Sequence, residues 1–344
     1  MKAWRIHRNG TPRDALSLDE LEAPEPAAGQ LRVRVRRAPL NWNDVDSCHG
    51  RYRQVNPPLP YVPGMEVMGE VDAAGAGAEA WLGKRVVACP PAAFGGYAEQ
   101  ALAGPDMTFE APPGLDDDEA GAFFFPFHLA HLALHERGGL REGETLLVHA
   151  GAGGLGSAAI QLGVAAGARV FATAGSEAKL ALCRELGAEL ALDYRGGAGF
   201  SEAVLEATAG RGVDVVCDPV GGAVAEQSFG CIAFGGRHVM VGFSSGGGPD
   251  APRIAPRPVI MGSFSLVGVV LAYHSNPLAL KRVTGFNLVP REIGESVHAD
   301  LVEKLARGAI RPVVGAVRSF AELPEALEAM ERRETTGRVV LRVG

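Results

Sequence analysis

Gly151-Ala152-Gly153-Gly154-Leu155-Gly156 is the segment whose residue types and spacing carry the most chemistry. This G-x-G-x-x-G follows the apolar run Thr145–His149 and opens a helical segment, Gly154–Ala166. In that setting Gly151 lets the chain turn sharply, Gly153 leaves bare backbone for a pyrophosphate, and Gly156 lets the helix pack closely on the strand. The helix start adds unpaired N–H groups and a partial positive charge, with Leu155 and Gly154 in the first turn. A glycine-rich turn without a ligand is the alternative. The strand, helix and second strand at this spacing favour the dinucleotide.

The end of that second strand selects the dinucleotide. An NAD site places Asp or Glu there to accept from the ribose 2′-OH. The sequence reads Thr173-Ala174-Gly175-Ser176-Glu177-Ala178-Lys179, with Ala174 where the acid should stand. Without the carboxylate a 2′-phosphate is not repelled. Ser176 can donate a hydrogen bond and Lys179, one of only five lysines, can supply charge. NADP(H) is the expected cofactor. Glu177 opens a helix and is read as solvent-facing.

Other reactive side chains carry weaker signals. His128, His131 and His135 fall on one face if their segment is helical. His131-Leu132-Ala133-Leu134-His135 lacks the glutamate of H-E-x-x-H, which excludes a metalloprotease, and a junction helix is favoured over a zinc cluster. The five cysteines are odd in number and form no C-x-x-C, so neither a disulfide framework nor a zinc ribbon is expected. Cys48 has no neighbour that would lower its pKa. Asp116-Asp117-Asp118-Glu119 reads as a solvated helix start.

The elements that must position these residues fall into two textures across 344 residues. Up to about residue 122 the chain shows short β-rich runs broken by Pro and Gly, including Arg32–Arg36, Glu66–Val71 and Arg85–Ala88. From 123 to 272 strands alternate with helices, which predicts a parallel, doubly wound sheet. Its six strands are expected at Thr145–His149, Arg169–Thr173, Leu190–Asp193, Val213–Asp218, Arg237–Gly242 and Ser265–Leu271. Residues 273–344 add helices near Val297–Arg307 and Leu323–Arg332 and a strand Arg338–Val343, and are expected to rejoin the first domain.

Composition narrows the function classes. Hydrophobic residues are 47% and charged residues 21%, an ordinary globular balance. Net charge is −7, which offers nucleic acid and anionic membrane no general attraction. Gly 46 and Pro 23 exceed the usual roughly 12% combined share, as expected for many turns. The N-terminus has no apolar signal-peptide core. The longest apolar stretch, Pro258–Tyr273, is too short and interrupted to span a bilayer. A cytoplasmic protein is expected.

Along its whole length the chain resembles the medium-chain dehydrogenase/reductase superfamily, and within it the zinc-free quinone oxidoreductase family that includes ζ-crystallin. The resemblance rests on Asn41-Trp42-Asn43-Asp44, Gly50-Arg51-Tyr52, Pro60–Glu66, Gly95-Gly96-Tyr97-Ala98-Glu99, the Ala150–Gly156 turn, Asp218-Pro219-Val220-Gly221-Gly222, Gly235-Gly236-Arg237, Gly242–Gly246 and Thr336–Leu341. Zinc-dependent relatives carry Cys where this chain has Asn41 and His where it has Met65, and a four-cysteine lobe that is missing here. No metal is therefore expected.

The resemblance implies a GroES-like β-rich catalytic domain built from residues 1–122 and 273–344 around a Rossmann domain at 123–272. It implies that Asn41 and Asp44 lie beside the nicotinamide pocket, and that Tyr52 lines the substrate cleft as a proton donor or as a packed aromatic. Ser176, Lys179, Tyr194 and Arg333 would surround the 2′-phosphate, and Phe243 and Ser244 would lie near the cofactor. His128 and His131 would border the cleft. Asp46, Cys48 and Leu129 replace a Tyr, an Arg and a Thr often found in the family. The implied activity is metal-free hydride transfer from NADPH to a quinone or an activated alkene, in a homodimer paired through Ser265–Leu271. A nucleotide-binding protein of little turnover, structural or RNA-binding, is the alternative.

Overall fold

The computed structural model describes residues 1–51, 57–195, 199–245 and 254–344. The chain divides into two units. One comprises 1–124, 272–298 and 312–344, the other 125–271 and 299–311.

The second unit is built on six parallel strands, Thr145–Val148, Arg169–Ala174, Leu190–Asp193, Val213–Asp218, Ile232–Met240 and Ser265–Gly268. Numbered in that order, they lie side by side as third, second, first, fourth, fifth, sixth. This is the dinucleotide-fold order, whose direction reverses between the first and fourth strands. Leu147, Phe171 and Val216 sit in register across the three central strands and are fully buried with Phe200, Val204, Val213 and Cys231. Both faces of a parallel sheet are covered, so these strands are apolar runs rather than alternating ones.

Two boundaries differ from those expected by three residues or more. The fifth strand begins at Ile232, five residues early, because a register shift between Val213 and Val215 and left-handed Gly235 bridge a stretch that glycines make look like a loop. The sixth ends at Gly268, where pairing stops.

In the first unit, seven strands pair in the order Val314–Ser319, Arg338–Arg342, Leu31–Pro39, Val67–Ala74, Arg85–Ala88 and Thr108–Glu110, with Gln100–Ala103 also on Leu31–Pro39. A separate hairpin joins Lys2–Ile6 to Leu16–Glu20. The core includes Leu31, Val33, Val35, Val67, Val71, Tyr97 and Leu341. Helix Asp117–Gly121 starts in a capping box between Asp116 and Glu119. Asp117 and Asp118 are not merely solvated, since they pair with Arg85 and Arg37. Among the described residues no helix is long and apolar enough to cross a membrane.

Candidate functional site

In the second unit the glycine turn forms at the carboxyl end of the first strand. Ala150 takes a positive φ of 51°, and the Gly151 N–H donates to the Thr173 carbonyl at 2.9 Å. The three glycines do different work. A Cβ on Gly156 would stand 2.2 Å from the Ala150 carbonyl, and one on Gly151 would crowd Cys183, Ala172 and Ile160. A Cβ on Gly153 would meet only the Ala150 carbonyl, at 3.3 Å, so the fold itself scarcely needs that glycine. Gly153 caps helix Gly154–Ala165, and the first helical bond runs from the Ser157 N–H to the Gly153 carbonyl. The N–H groups of Gly154, Leu155 and Gly156 precede it and point out of the helix start.

Beneath this turn lies a neutral polar network. Ser228 Oγ donates to the Val224 carbonyl at 2.8 Å, so it accepts from His149 Nε2 at 2.7 Å. His149 Nδ1 then accepts from Thr173 Oγ1 at 2.9 Å. Burial lowers the His149 pKa to about 4, which matches this uncharged tautomer.

The second strand ends at Ala174, and the chain turns into helix Glu177–Glu185 with Ser176 as its cap, accepting from the Lys179 N–H. The Tyr194 ring covers Gly175 so closely that a Cβ there would stand 2.9 Å from it. Ser176, Lys179 and Tyr194 therefore gather at one strand end. Glu177 is exposed and pairs with Arg184 at 2.8 Å.

At the carboxyl ends of the fourth and fifth strands two loops lie against each other. Ser244 and Ser245 donate backbone N–H bonds to the Pro219 and Val220 carbonyls at 3.1 and 2.9 Å. Phe243, in the second of these loops, is 39% exposed.

The first unit holds Asn41 and Asp44 at the start of helix Trp42–Cys48. Asp44 Oδ2 accepts from the Asn41 N–H at 2.9 Å and from Tyr97 Oη at 2.5 Å. Asn41 Oδ1 accepts from Arg338 Nη1 at 2.9 Å, and Arg338 Nη2 donates to Glu66. Arg338 has no acceptor, so this bond fixes the amide with its oxygen toward the guanidinium. All five side chains are buried. Burial raises the Asp44 pKa to about 6 against the hydrogen bonds from Tyr97 and Asn41 and the charge of Arg338.

Arg333 lies in the first unit on an exposed turn after helix Leu323–Glu331, with φ 59°. Tyr52 lies outside the described residues. His128 and His131 are buried on helix Phe124–His131, which runs on as a π-helix through Leu132–Arg137. His131 pairs with Asp300 at 2.9 Å. Cys48 is buried, and burial and Asp44 hold its thiol well above the usual range. Among the described residues no group of three or more His, Cys, Asp or Glu converges as a metal site would require.

Sequence reasoning assigned no role to Tyr97, Glu66, Arg338, His149 or Asp218. Tyr97, Glu66, Arg338 and Asp218 stand inside motifs already singled out, and that was the available signal.

Residues 27–113 match the family described as Alcohol dehydrogenase GroES-like domain, and residues 154–285 the one described as Zinc-binding dehydrogenase. The Quinone oxidoreductase-like protein 2 homolog of Nematostella vectensis is 31% identical over 327 residues, 94% of this chain and 84% of its own length. The quinone oxidoreductase of Thermus thermophilus, solved alone and in complex with NADPH, is 35% identical with a TM-score of 0.79. That of Escherichia coli, complexed with NADPH, is 25% identical with a TM-score of 0.86. Both structural matches cover 100% of each chain.

Proposed function

Because the chain belongs to the quinone oxidoreductase-like family of the medium-chain dehydrogenase/reductase superfamily, we propose that it is an NADPH-dependent reductase of quinones or activated alkenes that works without zinc. One observation carries the cofactor assignment. The second strand ends in Ala174 rather than an acid, and Ser176, Lys179 and Tyr194 gather there. A 2′-phosphate bound there would meet the Ser176 hydroxyl and lie within one helical turn of Lys179 instead of meeting a carboxylate. The pyrophosphate fits the bare face of Gly153 and the N–H groups of Gly154, Leu155 and Gly156.

NADPH, when bound, supplies a hydride. The remaining work belongs to the chain's own residues. Asn41 and Met65 stand where zinc-dependent relatives carry ligands. Asn41 is committed to Arg338 and Asp44, and Met65 is a buried thioether. This donor set does not suit zinc, so no Lewis acid is on hand to stabilise an alkoxide. Acceptors whose reduced anion is already delocalised, quinones and enones, are favoured over simple ketones. Protonation of the acceptor falls to water or Tyr52.

The homodimer belongs to the same proposal. The sixth strand, Ser265–Gly268, is the last in its sheet, and Phe234 and Met261 in the same unit are 90% and 75% exposed. A second copy would cover this edge. Light scattering should give twice the mass of one chain.

The activity test is NADPH oxidation with 1,4-benzoquinone, 9,10-phenanthrenequinone and 2-alkenals. Turnover with at least one is expected. Tight NADPH binding with no turnover across that panel would overturn the reductase reading in favour of a low-turnover nucleotide-binding protein.

A further inference from the structure

Asp218 ends the fourth strand and is buried to 1% exposure, yet it touches neither the glycine turn nor the 2′-phosphate end. Its Oδ1 accepts from the Val220 and Gly221 N–H groups at 2.8 and 2.9 Å. Its Oδ2 meets His238 Nε2 at 3.0 Å. An ionised carboxylate is acceptor-only, so His238 must carry its proton on Nε2. Burial alone would raise the Asp218 pKa, but the hydrogen bonds from His238 and from the backbone N–H groups hold it below the usual carboxylate range.

The segment that Asp218 pins is tightly turned and closely packed. Gly221 and Gly222 have φ of 72° and 57°, a conformation that L side chains rarely adopt. A Cβ on Gly222 would stand 2.8 Å from Ser245 Oγ, and one on Gly242 would stand 2.9 Å from the Pro219 carbonyl. With the two bonds from Ser244 and Ser245, the loops at 219–222 and 242–245 form one clamp. Phe243 immediately precedes Ser244 in this clamp. In a sheet of this order, ligand binds outside the carboxyl ends of the strands at the switch point. The glycine turn and Ser176 lie on the first and second strands, on one side of that point. The clamp lies on the fourth and fifth, on the other.

We propose that Asp218, held by His238, is a positioning residue for the nicotinamide half of the cofactor: it fixes the 219–222 loop and through it the Phe243-Ser244-Ser245 turn. This rests on the NADPH reading above and deepens it. The pair acts on one half of the dinucleotide and leaves the adenosine half to the glycine turn and Lys179. An affinity ratio therefore reports it, where a general loss of stability would not.

The experiment is titration of the full chain with NADPH and with 2′-phospho-ADP-ribose, which lacks nicotinamide. Asp218→Ala should raise the Kd for NADPH by about tenfold and change that for 2′-phospho-ADP-ribose by less than about twofold. Asp218→Asn, whose amide oxygen still accepts both N–H bonds, should recover most of the lost affinity. His238→Leu should shift the ratio in the same direction by a smaller factor, and it supplies the test if Asp218→Ala does not fold. An equal loss for both ligands, or an unchanged ratio in a folded variant, overturns the inference. Failure of the unsubstituted chain to bind NADPH would overturn the cofactor reading instead.

Discussion

The buried network around Asn41 and the one around His149, one in each unit, handle polarity by opposite strategies. In the first, Glu66, Arg338, Asn41, Asp44 and Tyr97 form a chain of charges and charge-assisted bonds drawn from residues 41 to 338. In the second, His149 is held neutral between Thr173 and Ser228 beneath a turn whose work is done by backbone N–H groups. A helix start attracts a phosphate through its N–H groups and dipole without a charged side chain in the turn itself. The buried guanidinium of Arg338 is instead held within its own unit, by Glu66 and Asn41.

That contrast is most easily broken at Arg338. Arg338→Ala would remove the buried guanidinium that Glu66 and the Asn41 amide both bond, which should cost about 3–5 kcal/mol of stability. Urea unfolding measures it, and the double variant Arg338→Met with Glu66→Leu should recover much of the loss. A loss below about 1 kcal/mol would mean that solvent already reaches the pair.

Acid should act on both units next. Burial lowers His149 and His135 in the second unit, and His298 on helix Arg291–Ala306 in the first, to about 4 each, below the ordinary 6.5 of the unfolded chain. The stability of their neutral forms is complete above pH 6.5 and is lost as pH falls toward 4, by about 3 kcal/mol for His149. Asp44, raised to about 6, works the other way and gains as pH falls through 6. Three histidines outweigh one aspartate, so the urea midpoint should drop between pH 7 and 4.5. A flat or rising midpoint would refute this balance.

The smallest effect compares two glycines of one turn. Gly156→Ala forces a Cβ onto the Ala150 carbonyl and should cost about 1–3 kcal/mol of stability. Gly153→Ala has only a 3.3 Å contact to relieve, so the melting temperature should barely move while NADPH binding weakens. If both variants melt alike and bind alike, Gly153 is not a ligand-facing position.

The same contrast explains what could be read in advance. The glycine turn, the strand ending in Ala174 and the Ser176 cap are local features whose physics lies within a few residues, and they stand where the sequence placed them. The Asn41–Arg338 bond joins residues 297 apart, and no periodicity or propensity reports a contact at that distance. Asn41 and Asp44 were visible as candidates, but that they answer to Arg338 and Tyr97 was not. Asp218 falls within a legible motif, but that its carboxylate meets His238 on the neighbouring strand follows only from the pairing of the fourth and fifth strands. The early start of the fifth strand was hidden because Gly235 and Gly236 resemble a loop until neighbouring strands supply the bonds.

Cofactor choice at the second strand end is tested most directly by titrating the chain with NADPH and NADH, before and after Lys179→Ala. NADPH should bind at least about tenfold more tightly than NADH. The substitution should remove about 2 kcal/mol from NADPH binding, the scale of a charge-assisted hydrogen bond, and leave NADH unchanged. Equal affinity for the two dinucleotides, or an equal loss of both in the variant, would contradict the assignment of Ser176, Lys179 and Tyr194 to the 2′-phosphate.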